Sequence, residues 1–286
     1  MQHRAFIGSV VLVLLVACEP PEEIYLVPDD SGVEVTSLLL GDTSIVLSRI
    51  DSSALLPLDE LTFDGTLVVN GIQHDAGQGI RTGSFAQVVI ADRNRPVIFD
   101  GQTWGYHGFD LGSLSLNGVS MVRRLHFVIV PDTVVLAIFA GFEYANPPEF
   151  VFEPGRSYTW TADSIDGPGV TIEAPGALTV HSPAGGSVIS RNEDLELRWT
   201  SDGDVVIVIS LVEGIGRPKP LLHLKPRDEQ VALLPAKILS LLPADQVYFF
   251  TFIRANRSEV RVVRRFFDRT VLVQAASVYN SVVLLR

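Results

Sequence analysis

The chain has one cysteine, Cys18, among 286 residues, and that scarcity removes several options at once. A single thiol cannot close a disulfide within the chain, and a thiolate metal site needs more than one. Basic residues are also in short supply, 22 Lys and Arg against 33 Asp and Glu, which leaves a formal net charge of −11. A general nucleic-acid binder neutralises phosphates with clustered excess Lys and Arg, so no nucleic-acid partner is expected. Sustained helical periodicity between caps is missing as well. Only Pro235 to Leu242, bracketed by Pro235 and Pro243, has room for a turn or two of helix. The sequence contains no His-Glu-x-x-His, no Gly-x-Ser-x-Gly and no P-loop. Beyond the N-terminal segment the histidines are His74, His107, His126, His181 and His223. They are far apart in sequence, and no pair has the spacing of a local metal site. The expectation is a non-enzymatic protein with no cofactor, no metal and no catalytic residues.

What is abundant is β-forming composition. Val, Leu and Ile dominate, and 23 Gly with 17 Pro punctuate the chain. The length suits two domains of about 100 to 200 residues each, large enough to bury their own cores. Charge divides the same way. Residues 18–178 carry 7 basic and 22 acidic side chains, whereas residues 179–286 carry 14 and 11. The two halves are electrostatically different surfaces.

Met1-Gln2-His3-Arg4 is a short basic start, and Phe6 to Val16 is an apolar run of 11 residues that ends at Leu15-Val16-Ala17-Cys18. Crossing a hydrocarbon core takes about 20 apolar residues, so the run reads as an export signal over residues 1–17 and not as a permanent span. The only cysteine sits where that run stops. Leu-Val-Ala-Cys resembles the lipobox of bacterial lipoproteins, and the resemblance implies that Cys18 is acylated and becomes the mature N-terminus. Two or three acyl chains, at about 0.8 kcal/mol per buried CH₂, make a lasting anchor. In that family an aspartate after the cysteine marks inner-membrane retention; here the residue is Glu19. The implied address is the cell envelope, with the outer membrane favoured over the inner. Residues 18–31, rich in proline and acid, read as a tether.

From residue 32 the chain alternates short apolar runs with turn chemistry: Val33 to Leu40, Ser44 to Leu47, Leu61 to Phe63, and Thr66 to Val69 followed by Asn70-Gly71. A second Asn-Gly, Asn117-Gly118, separates Leu114-Ser-Leu116 from Val119-Ser-Met121. Both pairs signal hairpin turns, because Asn and Gly tolerate positive φ. Gly77-Gln-Gly79-Ile-Arg-Thr-Gly83 reads as a loop before a strand at Ser84 to Ile90. Gly167-Pro168-Gly169 and Ala174-Pro175-Gly176 set a boundary near residue 178, giving domains at 32–178 and 179–286. In Leu195-Glu-Leu197-Arg-Trp199-Thr the apolar residues alternate inward, and the continuous apolar run Val205 to Leu211 reads as a central strand buried on both faces.

Leu-x-Leu-x-Trp on an early strand, then Leu239-Ser-Leu-Leu242-Pro243 leading into Tyr248-Phe-Phe-Thr-Phe, resembles fibronectin type III and related immunoglobulin-like sandwiches over about the last 108 residues. The resemblance implies a core tryptophan and a tyrosine corner. Its spacing departs from the family, since Tyr248 follows Pro243 by five residues where four is usual. The earlier Pro154-Gly155-Arg-Ser-Tyr158-Thr-Trp160 has the spacing of four. The expected fold class is all-β, two tandem sandwiches after a signal peptide and a tether.

Two features suggest binding. Phe99-Asp-Gly-Gln-Thr-Trp104-Gly-Tyr106-His107-Gly-Phe109 interleaves aromatics with glycine and polar groups. Trp104, Tyr106, His107 and Phe109 either hold a sugar ring or fill the core of a large domain. The second is the run Arg254, Arg257, Arg261, Arg264, Arg265 and Arg269, which on facing strands would suit anionic headgroups or an acidic protein surface, or be ordinary solvated strand faces. Asp202-Gly-Asp204, or Asp29-Asp30 with Asp42, could offer oxygens to calcium, but none completes a ligand loop. The functional expectation is an interaction or structural module on a membrane surface, with a carbohydrate-binding lipoprotein as the alternative.

Overall fold

The computed structural model describes residues 33–38, 64–130, 136–163, 169–212, 218–226, 230–264 and 267–286. The signal segment, Cys18, the tether, the runs Ser44 to Leu47 and Leu61 to Phe63, Asp29-Asp30, Asp42 and Arg265 lie outside the described residues. The first half contributes β1 (Val33–Leu38), β2 (Gly65–Asp75), β3 (Ile80–Phe99), β4 (Gln102–Gly108), β5 (Leu114–Leu116), β6 (Val119–Ser120), β7 (Val122–Val130), β8 (Leu136–Ala145), β9 (Ser157–Ala162) and β10 (Val170–Glu173). The second contributes β11 (Thr179–Ser182), β12 (Val188–Ile189), β13 (Leu195–Thr200), β14 (Val206–Val212), β15 (Pro218–Pro226), β16 (Val231–Leu234), the short helix α1 (Ala236–Leu239), β17 (Gln246–Arg264) and β18 (Phe267–Leu285). The described chain is all-β. Its one helix lies inside the proline-bracketed segment where the sequence left room for it.

One large sheet runs in the order β1-β15-β14-β17-β18-β2-β3-β4-β8-β7, with β12 joined to β18. Two small sheets, β10-β9-β5-β6 and β11-β13-β16, cover one side of it. Under the second lies a core built on Leu197, Trp199, Ile207, Ile209, Tyr248, Phe250 and Phe252. Under the first lies another, built on Leu67, Val69, Val88, Ile90, Tyr158 and Trp160. Period-2 alternation is what fills them. In β13, Leu197 and Trp199 are buried while Glu196, Arg198 and Thr200 are exposed. On the other side of the large sheet Val208, Ile253, Ala276 and Val278 form a smaller cluster, so β14 is buried on both faces as its unbroken apolar run implies.

The two cores share an element. β17 and β18 pair through every rung from Gln246↔Leu285 to Arg264↔Phe267, with no register shift. At about 3.3 Å per residue, 19-residue strands reach about 60 Å, longer than one core needs. Their outer ends place Tyr248, Phe252, Tyr279 and Val283 in the second core. Their inner ends place Val260, Val262, Val271, Val273 and Ala275 in the first. The first core is therefore completed by residues more than 80 positions beyond the boundary at residue 178.

One turn assignment is corrected. Asn70-Gly71 does not turn the chain but lies in the middle of the continuous strand β2. The glycine serves packing instead, because a Cβ at Gly71 would overlap the Phe152 ring. Asn117-Gly118 does turn, with φ of 50° and 79° between β5 and β6. Asn117 also accepts from the Thr159 amide at 2.8 Å, tying that turn to β9.

Candidate binding surface

Beyond the first core β3 continues into a hairpin with β4, and β7 and β8 form a second hairpin beside it. Where the hairpins cross, Gly108 and Gly141 meet backbone to backbone, and a Cβ on either would strike the backbone of the other strand. Only glycine permits that approach. Beyond the crossing, Val97, Val128 and Ala140 close a small core of their own, with Trp104 and Ile138 packed against it.

The four aromatic-segment residues are divided within this lobe. Trp104 is half-buried on the small core, and its indole N–H donates to the Phe99 carbonyl at 3.1 Å. Tyr106 is half-buried on the same strand. His107 is half-buried too, and its Nδ1 has no hydrogen-bond partner among the described residues. Phe109 packs against the first core. Trp104 is thus held at both its ring and its N–H, which leaves less of it to offer a ligand.

The arginines separate as well. In β17 the even-numbered residues Tyr248, Phe250 and Phe252 point into the core, so Arg254 shares their face while Arg257 and Arg261 take the other. Arg269 pairs with the buried Val262 and so lies on the core-side face. Arg254 reaches Asp202 at 3.3 Å and the Ala255 carbonyl at 2.9 Å. Arg257 donates to Gln274 Oε1 at 3.0 Å. Arg264 stands at the last rung, opposite Phe267. The hairpin does not gather the run onto one surface. Asp202, the calcium candidate, is taken up by Arg254 and by the Gly176 amide at 2.9 Å.

The outer face of the β7–β8 hairpin is a surface that sequence reading did not single out. At a bulge beside His126 the register shifts, and Gly141 adopts a φ of +85°. Two β8 residues then occupy the space of one, which turns Phe139 and Phe142 to the same side. Their rings meet edge to face at 6.2 Å, and Phe127 meets Phe139 at 6.1 Å. Arg123 lies 4.3 Å over the Phe142 ring and binds Asp110 at 2.9 Å. Leu125, Phe127 and Phe139 remain 54%, 46% and 47% exposed. On the inner side of the bulge His126 Nδ1 lies 3.1 Å from Glu143, which also accepts from Gln87. Below it Tyr144 donates to Asp110 at 3.0 Å and accepts from the Leu111 amide at 2.8 Å. Burial first, and then the Asp110 carboxylate, push the Tyr144 hydroxyl up to about 12. The Gly112 amide and the Tyr144 hydroxyl hold Asp110 below its usual range against the opposing effect of burial. The sequence signal of this face was the run Phe139-Ala-Gly141-Phe142, whose alternation the bulge interrupts.

No family model, no curated protein and no solved structure matches this chain.

Proposed function

We propose that this protein is a non-enzymatic lipoprotein of the bacterial cell envelope, exported and held on a membrane by acylated Cys18, that serves as a rigid interaction or structural module. The observation that carries this reading is the position of the only cysteine, directly after Leu15-Val16-Ala17 at the end of an 11-residue apolar run. Glu19 at the next position favours the outer membrane. In this reading the acidic tether, residues 18–31, holds two immunoglobulin-like sandwiches off the bilayer, built mainly from 32–178 and 179–286, with the β17–β18 hairpin completing the core of the first. The long β17–β18 hairpin supports the rigidity, because strands that run continuously through two cores resist bending between them.

The partner in this reading is an envelope protein or a glycan. A glycan site at Trp104 and Tyr106 has the weaker support, since the Trp104 ring and N–H are both engaged within the lobe. The test is acyl labelling in cells, followed by crosslinking and mass spectrometry of what co-purifies, with Cys18→Ser as control. Labelling confined to the native chain, with a reproducible partner lost in the variant, supports the reading. Labelling that persists in Cys18→Ser overturns the anchor.

A further inference from the structure

We infer that the outer face of the large sheet, the side turned away from the two small sheets, is an intramolecular docking surface for residues 39–63, the segment that joins β1 to β2. The inference goes beyond the envelope role above and does not need the acyl group. On that face Val208, Ile253, Ala276 and Val278 are no more than 5% exposed, and Asn70 and Gln274 beside them are fully buried. Side chains that stand off one pleated face do not bury one another so completely, so atoms of a further segment lie over them. Yet every member of the cluster belongs to β2, β14, β17 or β18, and no other described element enters it. His223 shares the face, opposite Val208, and burial lowers its value from the ordinary 6.5. The burial is that of one chain alone, so the occupant belongs to the chain itself.

Topology selects the segment. From β1 through β15, β14 and β17 to β18 the strands alternate in direction, and β2 runs with β18, so β1 and β2 are parallel members of one sheet. A connection between two such strands is right-handed in nearly all proteins. Backbone chirality then decides which face it crosses. Even-numbered β18 residues put their side chains on the outer face and their carbonyls toward β2, as Thr270 does in accepting from the Asp64 amide at 2.8 Å. With β18 pointing up and its outer face toward the viewer, L-residues on that face turn their carbonyls to the right. β2 is therefore on the right and β1 on the left, and a right-handed passage from β1 to β2 crosses the outer face. The opposite face is already filled by the small sheets.

Length and composition agree. Leu38 is level with Ser281 through Leu222, Ile209 and Phe250, and Gly65 is level with Val271. The passage spans five strand spacings and ten residues of strand, a diagonal of about 40 Å, and 25 residues can reach about 80 Å. It crosses β14, β17 and β18 between those levels, where the buried cluster stands. Eleven of the 25 residues are Leu, Ile, Val or Phe, among them Ile45-Val46-Leu47 and Leu55-Leu56. The tether is a poorer occupant of an apolar face, with five acidic residues in 18–31. Because β1 pairs with β15, the chain that leaves the tether joins the second sandwich before it reaches the first.

The test photo-crosslinks the full Cys18→Ser chain with p-benzoylphenylalanine in place of Phe249 or Arg257, outer-face positions on β17 that flank the buried patch, one half-buried and one exposed. Digestion and mass spectrometry of the monomeric product should map the crosslinks to residues 39–63. Crosslinks that map instead to residues 1–32, a product of dimer mass, or no crosslink into 39–63 overturns the inference. A second measurement replaces residues 43–60 with a Gly-Ser segment of equal length and follows maleimide labelling of Val278→Cys in the Cys18→Ser background. Labelling should become about tenfold faster than with the native segment, while near-UV circular dichroism shows the cores intact. An unchanged rate in the folded variant overturns the inference. Neither result touches acyl labelling at Cys18, so this inference and the anchor reading fail separately.

Discussion

The Tyr248 hydroxyl donates to the Pro243 carbonyl at 2.9 Å, closing the corner that leads into β17. The same device recurs in the first half, where the Tyr158 hydroxyl accepts from the Glu153 amide at 2.7 Å. Both hydroxyls reach back five residues, although proline lies five positions before Tyr248 and four before Tyr158. The departure in spacing therefore moves the proline and not the bond. Both rings are fully buried, each in its own core. Tyr248→Phe keeps the ring and removes the bond, so a loss of about 1 kcal/mol in urea unfolding is expected. Tyr158→Phe should cost at least as much, because it leaves the Glu153 amide without this partner.

Gly71 is set by a ring and not by a turn. Gly71→Ala should destabilise by about 1 to 3 kcal/mol through overlap with Phe152. In a double-mutant cycle, Phe152→Leu should recover part of that loss. Additive losses would contradict the packing account.

Asp75 joins the end of β2 to the segment after β11. It accepts from the Gly77 amide at 2.9 Å, the Gly185 amide at 3.0 Å and the Tyr279 hydroxyl at 3.2 Å. The Gly77 amide is the largest influence holding its carboxyl below the ordinary 3.8, with burial opposing. A depressed carboxylate contributes stability that is complete above the unfolded value and disappears as pH falls through the folded one. The acid limb of the stability profile, below about pH 4, should therefore be shallower in Asp75→Ala. At neutral pH that variant should be less stable by about 1 to 2 kcal/mol.

The alkaline limb has a different origin. Burial pushes the hydroxyls of Tyr144, Tyr248 and Tyr279 up to about 12 from the ordinary 10.0. A raised folded value means that the stability is complete below pH 10 and is lost as pH rises toward 12. Thermal melts between those limits, followed with tyrosinate absorbance, should show unfolding and ionisation together. Tyrosinate forming well before unfolding would refute it.

His223 on β15 acts near neutrality. Burial lowers its value from the ordinary 6.5, so the folded state favours the neutral ring. Stability should be complete above 6.5 and decline as pH falls below it. His223→Gln should flatten that decline in melts taken across the interval.

The all-β class, the alternation of β13, the doubly buried β14, the Asn117-Gly118 turn and the α1 turn were legible in the sequence. Each is a local demand: period-2 burial, positive φ at two adjacent residues, or a helix bounded by prolines. Tertiary structure alone decided the rest. Asn70-Gly71 carries the same turn signal, but its glycine answers to Phe152, 81 residues away. The arginines are close in sequence, yet because the even-numbered residues of β17 meet the core, Arg254 takes that face of the hairpin and Arg257 the other. The exposed strip at Leu125, Phe127 and Phe139 depends on the Gly141 bulge and on the crossing with Gly108. Composition sets which residues can enter a strand; contacts between distant strands set which face they occupy, because a shift of one residue reverses every side chain.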